Sequence, residues 1–263
     1  MRDLLPVSAA DSVRLVEVFS SIQGEGILVG RRQVFVRTYG CNLRCSYCDS
    51  PETLKESPSP KTCRIESVPG SWTFRTAPNP VSAQLLTDTV AEFVAAAPHH
   101  SISITGGEPL LHARFLATWL PDVRSLGLKT FLETNGLLPD HLAKIIHLLD
   151  YVSMDLKPPS ATGLSEQQTW ERHIEFLRRA RSSEVYGKLV VTAGTSDSEV
   201  DSATAVIQAV DDSIPLILQP VTPFGFELQR VSPARMIELH ARASRTLKDV
   251  RVIPQTHKMM NLL

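Results

Sequence analysis

The stretch that decides the fold is Gln33-Val-Phe-Val-Arg-Thr-Tyr-Gly-Cys-Asn-Leu-Arg-Cys-Ser-Tyr-Cys48, an apolar run followed at once by three cysteines. The run Gln33–Thr38 is short and rich in β-branched and aromatic residues, which predicts a buried strand. Cys41, Cys45 and Cys48 follow in one loop with the spacing CxxxCxxC. Three thiols presented together by one loop indicate a metal centre at the end of this strand.

Three thiolates are one too few to close a [4Fe–4S] cluster, which normally takes four cysteines. The remaining iron is then open to a small molecule, and an amino acid would chelate it through its amine and carboxylate. Structural zinc is an alternative, although zinc prefers four ligands and only Cys45 and Cys48 form a CxxC pair, with Cys63 as the spare thiol. A disulfide is disfavoured because the chain has 4 Cys in 263 residues and shows no secretory h-region. Spacing alone leaves three interpretations open: the cluster, a zinc site, and cysteines that are structural or spaced in this way by chance.

The composition is ordinary for a globular protein, with 43% hydrophobic and 21% charged residues. No apolar run is long enough to predict a membrane span. The formal net charge of −1 does not favour a nucleic-acid surface, so a small-molecule substrate is expected. The absence of a secretory pattern predicts a cytoplasmic, reducing location, which would also protect an iron–sulfur cluster.

Short apolar runs alternate with amphipathic stretches from residue 33 onward. This alternation predicts an α/β fold of parallel strands joined by crossover helices, in one domain over residues 1–263. Residues 51–80 interrupt the alternation with six prolines, and we expect an irregular insertion there that carries Cys63. The predicted strands are Gln33–Thr38, Ser101–Thr105, Leu128–Leu132, Tyr151–Met154, Lys188–Thr192, Pro215–Gln219 and Val250–Pro254. The predicted helices span about 82–97, 112–126, 139–149, 167–182, 198–210 and 233–248.

Polar residues gather directly after the predicted strands. The cysteine loop follows the first strand, and further polar segments follow the second, third, fourth, sixth and seventh: Thr105–Pro109, Glu133–Gly136, Asp155–Pro159, Gln219–Pro220 and Pro254–Lys258. Carboxyl ends of parallel strands meet at one edge of a sheet, where α/β proteins bind their ligands. The sequence therefore predicts one shared active-site face.

The cysteine loop, taken together with Gly106-Gly107-Glu108-Pro109, resembles the radical S-adenosylmethionine (SAM) superfamily. The resemblance implies a partial (β/α) barrel with parallel strands, with a [4Fe–4S] cluster on Cys41, Cys45 and Cys48. It also implies that SAM binds the open iron and that the Gly-Gly-Glu-Pro turn contacts the methionine amine. Reductive cleavage of SAM in such enzymes releases a 5′-deoxyadenosyl radical.

A narrower resemblance, to the 7-carboxy-7-deazaguanine synthase family, comes from Ser21–Gly26, Phe35–Cys41, Cys48–Ser50, Glu133–Gly136, Lys157–Ser160 and Pro254–His257. It implies conversion of 6-carboxy-5,6,7,8-tetrahydropterin to 7-carboxy-7-deazaguanine with loss of ammonia, in queuosine and related 7-deazapurine pathways. It also implies a Mg²⁺ ion, a flavodoxin- or ferredoxin-type electron donor and a homodimer.

Site residues follow from the same resemblance, and no side chain is predicted to act as an acid, base or nucleophile. The expected SAM-binding residues are Thr105, Gly106, Gly107, Glu108, Asn135, Ser153, Asp155, Lys157 and Gln219. The expected substrate-binding residues are Gln23, Gly24, Glu25, Arg37, Glu133, Gln255 and His257, and Ser50 is the expected Mg²⁺ ligand. A turn role for Gln23, a structural salt bridge for Arg37 and an ordinary loop role for Ser50 remain open as alternatives.

Two other functions remain open. A radical SAM activase, which places a glycyl radical on a partner enzyme, shares the cysteine and glycine motifs but leaves Gln23–Gly26 unexplained. A non-catalytic electron carrier would use Cys63 as the fourth cluster ligand, and replacement of Cys63 distinguishes that protein from an enzyme with an open iron.

Overall fold

The computed structural model describes residues 10–54, 60–225 and 227–262. Its strands are β1 (Ser12–Val13), β2 (Leu15–Ile22), β3 (Arg32–Thr38), β4 (Thr62–Glu66), β5 (Phe74–Pro78), β6 (Val81–Ser82), β7 (Ser101–Gly106), β8 (Lys129–Thr134), β9 (Tyr151–Asp155), β10 (Glu184–Val191), β11 (Leu216–Pro220) and β12 (Val250–Val252). Its α-helices are α1 (Ala83–Ala96), α2 (Ala113–Ser125), α3 (Pro139–Leu142), α4 (Pro159–Thr162), α5 (Glu166–Ala180), α6 (Asp197–Gln208), α7 (Pro233–Ala243) and α8 (Thr256–Met259).

Ten strands form one open, mixed sheet in the order β5-β4-β2-β3-β7-β8-β9-β10-β11-β12. The seven strands from β3 to β12 in this order are parallel to their neighbours and coincide with the seven predicted strands. The long connections between them carry the helices, as parallel pairing requires. The prediction of a partial (β/α) barrel with parallel strands is therefore confirmed.

The prediction of an irregular insertion at residues 51–80 was wrong for its second half. Strands β4 and β5 pair with each other antiparallel, and β4 pairs with β2, so this segment extends the sheet at one edge. Proline does not prevent this arrangement, because five of the six prolines lie outside both strands and Pro78 ends the edge strand β5. Cys63 lies within β4 and its side chain is buried in the hydrophobic core.

The helices pack their apolar faces on the sheet and on one another. In α2, for example, Phe115, Trp119 and Val123 are buried at helical spacing. Helix α7 begins as the sequence predicts, with Ser232 as N-cap accepting a hydrogen bond from the Arg235 amide and with Pro233 at the first position.

The helix predicted over 139–149 is present only as α3, followed by a 3₁₀ turn at Ile146–Leu148. The backbone leaves the helical region at Ile145, where φ is −130°, and the Ile145 side chain is fully buried in the core. The continuous helix predicted over 139–149 was therefore wrong. Among the described residues, none of the helices combines the length and apolar character needed to cross a membrane.

Candidate active site

A cavity of about 440 Å³ opens at the carboxyl ends of the parallel strands. It is lined by all of the predicted site residues except Glu108 and Ser153, namely Gln23, Gly24, Glu25, Arg37, Cys41, Cys45, Cys48, Ser50, Thr105, Gly106, Gly107, Glu133, Asn135, Asp155, Lys157, Gln219, Gln255 and His257. The predicted segments thus share one cavity, which joins residues up to 234 positions apart, as between Gln23 and His257. Strand polarity explains the segments that follow the parallel strands. It does not explain Gln23, because β2 is antiparallel to β3 and its last residue, Ile22, pairs with Arg32 at the start of β3.

The cysteine loop is held against the glycine turn by backbone hydrogen bonds. The Glu108 amide donates to the Gly40 carbonyl at 2.8 Å, and the Gly107 amide donates to the Thr38 carbonyl at 3.3 Å. A Cβ at Gly107 would lie 2.1 Å from the Gly40 carbonyl oxygen, and Gly106 has a φ of +123°. The two glycines therefore allow the end of β7 to pack directly on the start of the cysteine loop, a role beyond the expected close approach to a ligand.

The three thiols fit an open iron–sulfur cluster. They are free and half-buried on one wall of the cavity, and Cys63 points instead into the core. Burial raises the pKa of Cys41 to about 12 and also raises the pKa of Cys48, so these thiols carry protons until a metal replaces them. Within the part of the chain that the structure describes, no three His, Cys, Asp or Glu side chains converge on a single metal position. Each cysteine of an iron–sulfur cluster binds a different iron atom.

The side of the cavity next to the cysteines carries paired charges and an unpaired amide. The Lys157 ammonium contacts the Asp155 carboxylate at 2.8 Å and lies 5.4 Å from the Tyr47 ring centroid. The Asn135 side-chain amide donates to the Asn42 side chain at 2.8 Å. The Gln219 Oε1 atom is buried and has no hydrogen-bond partner among the described residues, although Gln219 lines the cavity. A buried acceptor without a partner fits a site that a polar ligand such as SAM would complete.

Glu108 and Ser153 lie elsewhere than the sequence predicts. Glu108 is fully buried and caps the 3₁₀ turn Pro109–His112, accepting hydrogen bonds from the Leu110 amide, the Thr134 hydroxyl and the Asn135 amide. Through these three donors Glu108 positions the loop after β8. The predicted contact of Glu108 with SAM stays a prediction. Burial raises the pKa of Glu108 to about 7. Ser153 is buried within β9 below the cavity wall.

Gln23 also has a role different from the predicted contact with the substrate. Its side-chain amide donates to Gln33 at 2.9 Å and to Glu133 at 3.2 Å, and its Oε1 atom accepts from the Glu25 amide. Gln33 is fully buried and donates in turn to the Ser101 hydroxyl at 2.7 Å. With both N–H groups used inside the protein, Gln23 orients Glu133 and the turn that carries Glu25.

Glu133, which lines the cavity, is held in one orientation by hydrogen bonds. Its Oε1 atom accepts from the Ser103 hydroxyl at 2.6 Å as well as from Gln23. Burial raises the pKa of Glu133, and the nearby Lys188 ammonium opposes that rise. A carboxyl group fixed in this way can accept hydrogen bonds from the donor edge of a heterocycle.

Arg37 takes part in an ion pair as well as lining the cavity. Its Nε atom donates to Glu17 Oε1 at 2.9 Å, and Arg64 binds the second oxygen of the same carboxylate. The Arg37 Nη1 atom lies 3.4 Å from the Ser50 hydroxyl. The structure thus shows the salt bridge that the sequence leaves open as an alternative for Arg37, while its role in binding the substrate stays a prediction.

The last segment of the chain closes one side of the cavity. Gln255 donates to both Glu25 at 2.8 Å and Asp49 at 3.0 Å, and burial lowers the pKa of His257. The Gly24 backbone contacts this segment so closely that a Cβ there would lie 2.1 Å from His257 Nδ1. The sequence predicts that Gln255 and His257 share one face of a strand, and this prediction was wrong. Strand β12 ends at Val252, and both residues belong to the turn that starts α8.

The sequence-based reasoning missed five charged residues that line the cavity, Glu17, Glu52, Arg64, Lys188 and Lys258, of which Lys188 and Glu17 are buried. Lys188 lies in the middle of β10 and pairs with Glu25 and Asp155, while Glu17 lies in β2 and pairs with Arg37. Each is a charged residue inside an otherwise apolar strand, as in Tyr186-Gly-Lys188-Leu-Val and Leu15-Val-Glu17-Val-Phe. A buried charge needs a partner, so this pattern is the signal that could have revealed them.

Comparison with known proteins agrees with this geometry. Residues 35–205 match the family model described as the Radical SAM superfamily. The 7-carboxy-7-deazaguanine synthase of Geobacter sulfurreducens is 45% identical over 251 residues, which cover 95% of this chain and 97% of that protein. The enzyme of the same name from Methanothermobacter thermautotrophicus is 37% identical over 265 residues, covering 94% and 97% of the two chains.

Solved structures share the fold. The crystal structure of QueE from Escherichia coli superposes with a TM-score of 0.61 at 19% identity, covering 93% of this chain and 94% of that one. The structure of TYW1 with a lysine-pyruvate adduct bound gives a TM-score of 0.56 at 13% identity, covering 81% and 73%. These two likenesses concern the fold, whereas the sequence identities decide the family. The chain belongs to the radical SAM superfamily and, within it, to the family of 7-carboxy-7-deazaguanine synthases.

Proposed function

We propose that this protein converts 6-carboxy-5,6,7,8-tetrahydropterin to 7-carboxy-7-deazaguanine, with release of ammonia, in 7-deazapurine biosynthesis. The observation that carries the proposal is the cavity itself, where three cysteines face the carboxylates of Glu25 and Glu133 and the guanidinium of Arg37. A thiol set for an open cluster and a set of groups suited to a carboxylated heterocycle thus share one space. Family membership supports the same reaction.

The cofactor side of the cavity would hold a [4Fe–4S] cluster on Cys41, Cys45 and Cys48, with SAM beside it. When bound, the two together supply a 5′-deoxyadenosyl radical that takes a hydrogen atom from the substrate. Thr105, Gly106 and Gly107 present backbone groups to SAM, and Asn135, Asp155, Lys157 and Gln219 present polar side chains. The orphaned Gln219 Oε1 atom supports this assignment.

The substrate side would recognise the pterin by its charge and its hydrogen-bond edge. Glu133 and Glu25 are acceptors for the ring donors, and Gln23, Gly24 and Gln255 keep those two carboxylates in place. Arg37 faces the substrate carboxylate with its Nη1 edge, since Nε is engaged by Glu17. His257 lies at the same wall and contributes a neutral ring, because burial lowers its pKa.

The Mg²⁺ ion of the proposal would bind near Ser50. The Ser50 hydroxyl lies 3.3 Å from an Asp49 carboxylate oxygen, which gives two oxygen donors on adjacent residues. Mg²⁺ keeps several waters and binds through few protein ligands together with an anionic substrate. The substrate carboxylate would therefore sit between this ion and Arg37.

The deciding experiment is anaerobic. Reconstituted protein is incubated with reductant, SAM, Mg²⁺ and 6-carboxytetrahydropterin, and the products are identified by mass spectrometry, with Cys45→Ala as the cluster-free control. We expect 7-carboxy-7-deazaguanine with little net loss of SAM from the wild type and no product from the variant. If the wild type yields only 5′-deoxyadenosine and methionine, the substrate assignment is wrong and an activase function becomes the better explanation.

Four further parts of the proposal come from the sequence. The electron donor and the homodimer rest on the resemblance to the 7-carboxy-7-deazaguanine synthase family, and the location and the single domain rest on sequence patterns. The electron donor is of the flavodoxin or ferredoxin type, the enzyme is a homodimer and it acts in the cytoplasm. Residues 1–263 act as one domain, which is supported by the single large sheet that contributes to the cavity from both of its halves.

A further inference from the structure

Lys188 is a buried charge that no sequence motif accounts for. It lies in β10, between apolar neighbours, directly opposite Asp155 of β9 in the parallel register. Its side chain is only 7% exposed, and it lines the cavity. An ammonium group at such a position loses its hydration, so it is retained only where several acceptors surround it.

The Lys188 ammonium joins two ion pairs that belong to different parts of the cavity. It binds Glu25 Oε2 on the substrate side and lies 3.1 Å from Asp155 Oδ1 on the cofactor side. The second oxygen of Asp155 contacts Lys157 at 2.8 Å, and the second oxygen of Glu25 accepts from Gln255 at 2.8 Å. The result is one continuous network, Lys157–Asp155–Lys188–Glu25–Gln255, across the floor of the cavity.

The charges along this network balance only while Lys188 is present. Two ammonium groups, of Lys157 and Lys188, alternate with two carboxylates, of Asp155 and Glu25. The Glu133 carboxyl group also senses Lys188, which opposes the rise in the pKa of Glu133 that burial causes. Without Lys188, Glu25 would keep only the neutral Gln255 amide as a side-chain partner in this network, and two carboxylates would repel each other across the cavity.

We propose that Lys188 is a positioning residue for the proposed reaction: by binding Glu25 and Asp155 at once, it holds the substrate-side and SAM-side carboxylates in fixed orientations. This inference rests on the function proposed above. Lys188 acts through these two partners, so its loss weakens binding of both ligands while the cysteine loop, which it does not touch, keeps the cluster.

The test compares Lys188→Met, which keeps the length and removes the charge, with Lys188→Arg, which keeps the charge. Lys129→Met is the matched control, because Lys129 is an exposed lysine at the opposite end of the adjacent part of the sheet, in β8. For each cluster-loaded protein, SAM affinity is measured by anaerobic calorimetry without substrate, and KM and kcat are measured with 6-carboxytetrahydropterin. Iron content and the thermal midpoint of unfolding report on the fold.

We expect Lys188→Met to keep its iron and to raise both the SAM Kd and the substrate KM by about tenfold or more, with a smaller change in kcat. Lys188→Arg should recover most of both affinities, and Lys129→Met should leave them unchanged. The proposal is overturned if Lys188→Met binds both ligands within about twofold of the wild type, or if Lys188→Arg is as impaired as Lys188→Met.

If Lys188→Met does not fold, the charge-balanced variant Lys188→Met/Asp155→Asn is compared with Asp155→Asn alone. The proposal then predicts a substrate KM about tenfold higher in the double variant, because only there does Glu25 lose its ammonium partner, and equal values would refute it. Should the wild type form no 7-carboxy-7-deazaguanine, the proposed function fails, while the SAM affinities still decide whether Lys188 positions Asp155.

Discussion

Replacement of Arg37 by lysine tests how the cavity recognises a carboxylate. The Arg37 guanidinium uses Nε for Glu17 at 2.9 Å and turns Nη1 toward Ser50, so one side chain serves two groups along two edges. Lysine keeps the charge but ends in a single nitrogen, which cannot reproduce this planar arrangement. Because Glu17 is a buried carboxylate, we expect the new ammonium to remain with Glu17 and to abandon the substrate edge.

The expected magnitude follows from the lost contact. A hydrogen bond to a charged group contributes about 1.5–3 kcal/mol, which corresponds to a rise of about 10- to 100-fold in the KM for 6-carboxytetrahydropterin. SAM should bind Arg37→Lys as it binds the wild type, because Asp155, Lys157 and Gln219 are unchanged. Steady-state kinetics and anaerobic calorimetry with SAM measure the two quantities separately.

Arg64→Lys is the matched control for this experiment. Arg64 binds the same Glu17 carboxylate and also lines the cavity, but its side chain is 56% exposed and its guanidinium stacks on Phe74. We expect its KM to change by less than about threefold. An equal rise in KM for Arg64→Lys and Arg37→Lys would show that Glu17 alone matters, and a matching loss of SAM affinity in Arg37→Lys would show general damage to the cavity; either result refutes the reasoning.

Three other predictions concern the cluster, the buried polar chain and pH. Cys63→Ala should retain the iron of the wild type, measured by metal analysis and absorbance, whereas Cys45→Ala should lose it; loss of iron from Cys63→Ala would mean that Cys63 is a cluster ligand. Gln33→Leu should lower the free energy of unfolding by about 2–4 kcal/mol in urea titrations and raise the substrate KM, because the buried Gln23 and Ser101 side chains each lose a partner. Thr89→Val is the control, since it removes only a hydrogen bond within one helix turn. A loss of stability in Gln33→Leu no larger than in Thr89→Val would contradict the prediction. Burial lowers the pKa of His173 from 6.5 to about 4. Between pH 6.5 and about pH 4, His173 therefore binds a proton in the unfolded chain but not in the folded one. Stability should therefore fall as the pH drops through this window, by up to about 3 kcal/mol from this residue, and urea titrations at several pH values should show a shallower fall in His173→Gln; parallel curves would show that His173 is not responsible.

Local patterns predicted most of the fold. Seven short apolar runs separated by amphipathic stretches predict parallel strands, and all seven strands are present. Most of their first and last residues lie within two positions of the predicted ones. The hairpin of β4 and β5 was missed because its strands have only five residues each and lie in a segment with six prolines, which indicated irregular structure. The helix predicted over 139–149 was also wrong, because the backbone leaves the helical region at Ile145.

The contents of the site could also be predicted, but the roles of several members could not. Motifs identified most residues that face the cavity, because the carboxyl ends of the parallel strands meet at one edge of the sheet. The antiparallel strand β2 instead brings Gln23 to the cavity from the start of β3. They could not show that the amide of Gln23 is occupied by Gln33 and Glu133, or that Glu108 is enclosed by three donors. Both are outcomes of packing, in which each buried polar atom takes the nearest available partner.

The amino-acid sequence by itself determined the cysteine loop, the positions of the seven parallel strands and the polar segments that follow them, because each depends on short-range spacing and alternation. The tertiary structure decided which charges meet across that edge. Lys188 and Glu25 are 163 residues apart, and only the packing of β10 beside the loop after β2 brings them together. Pairs of this kind depend on sheet register and on the low polarity of the interior, which makes an unpaired charge costly, and neither property is written in any local stretch of the chain.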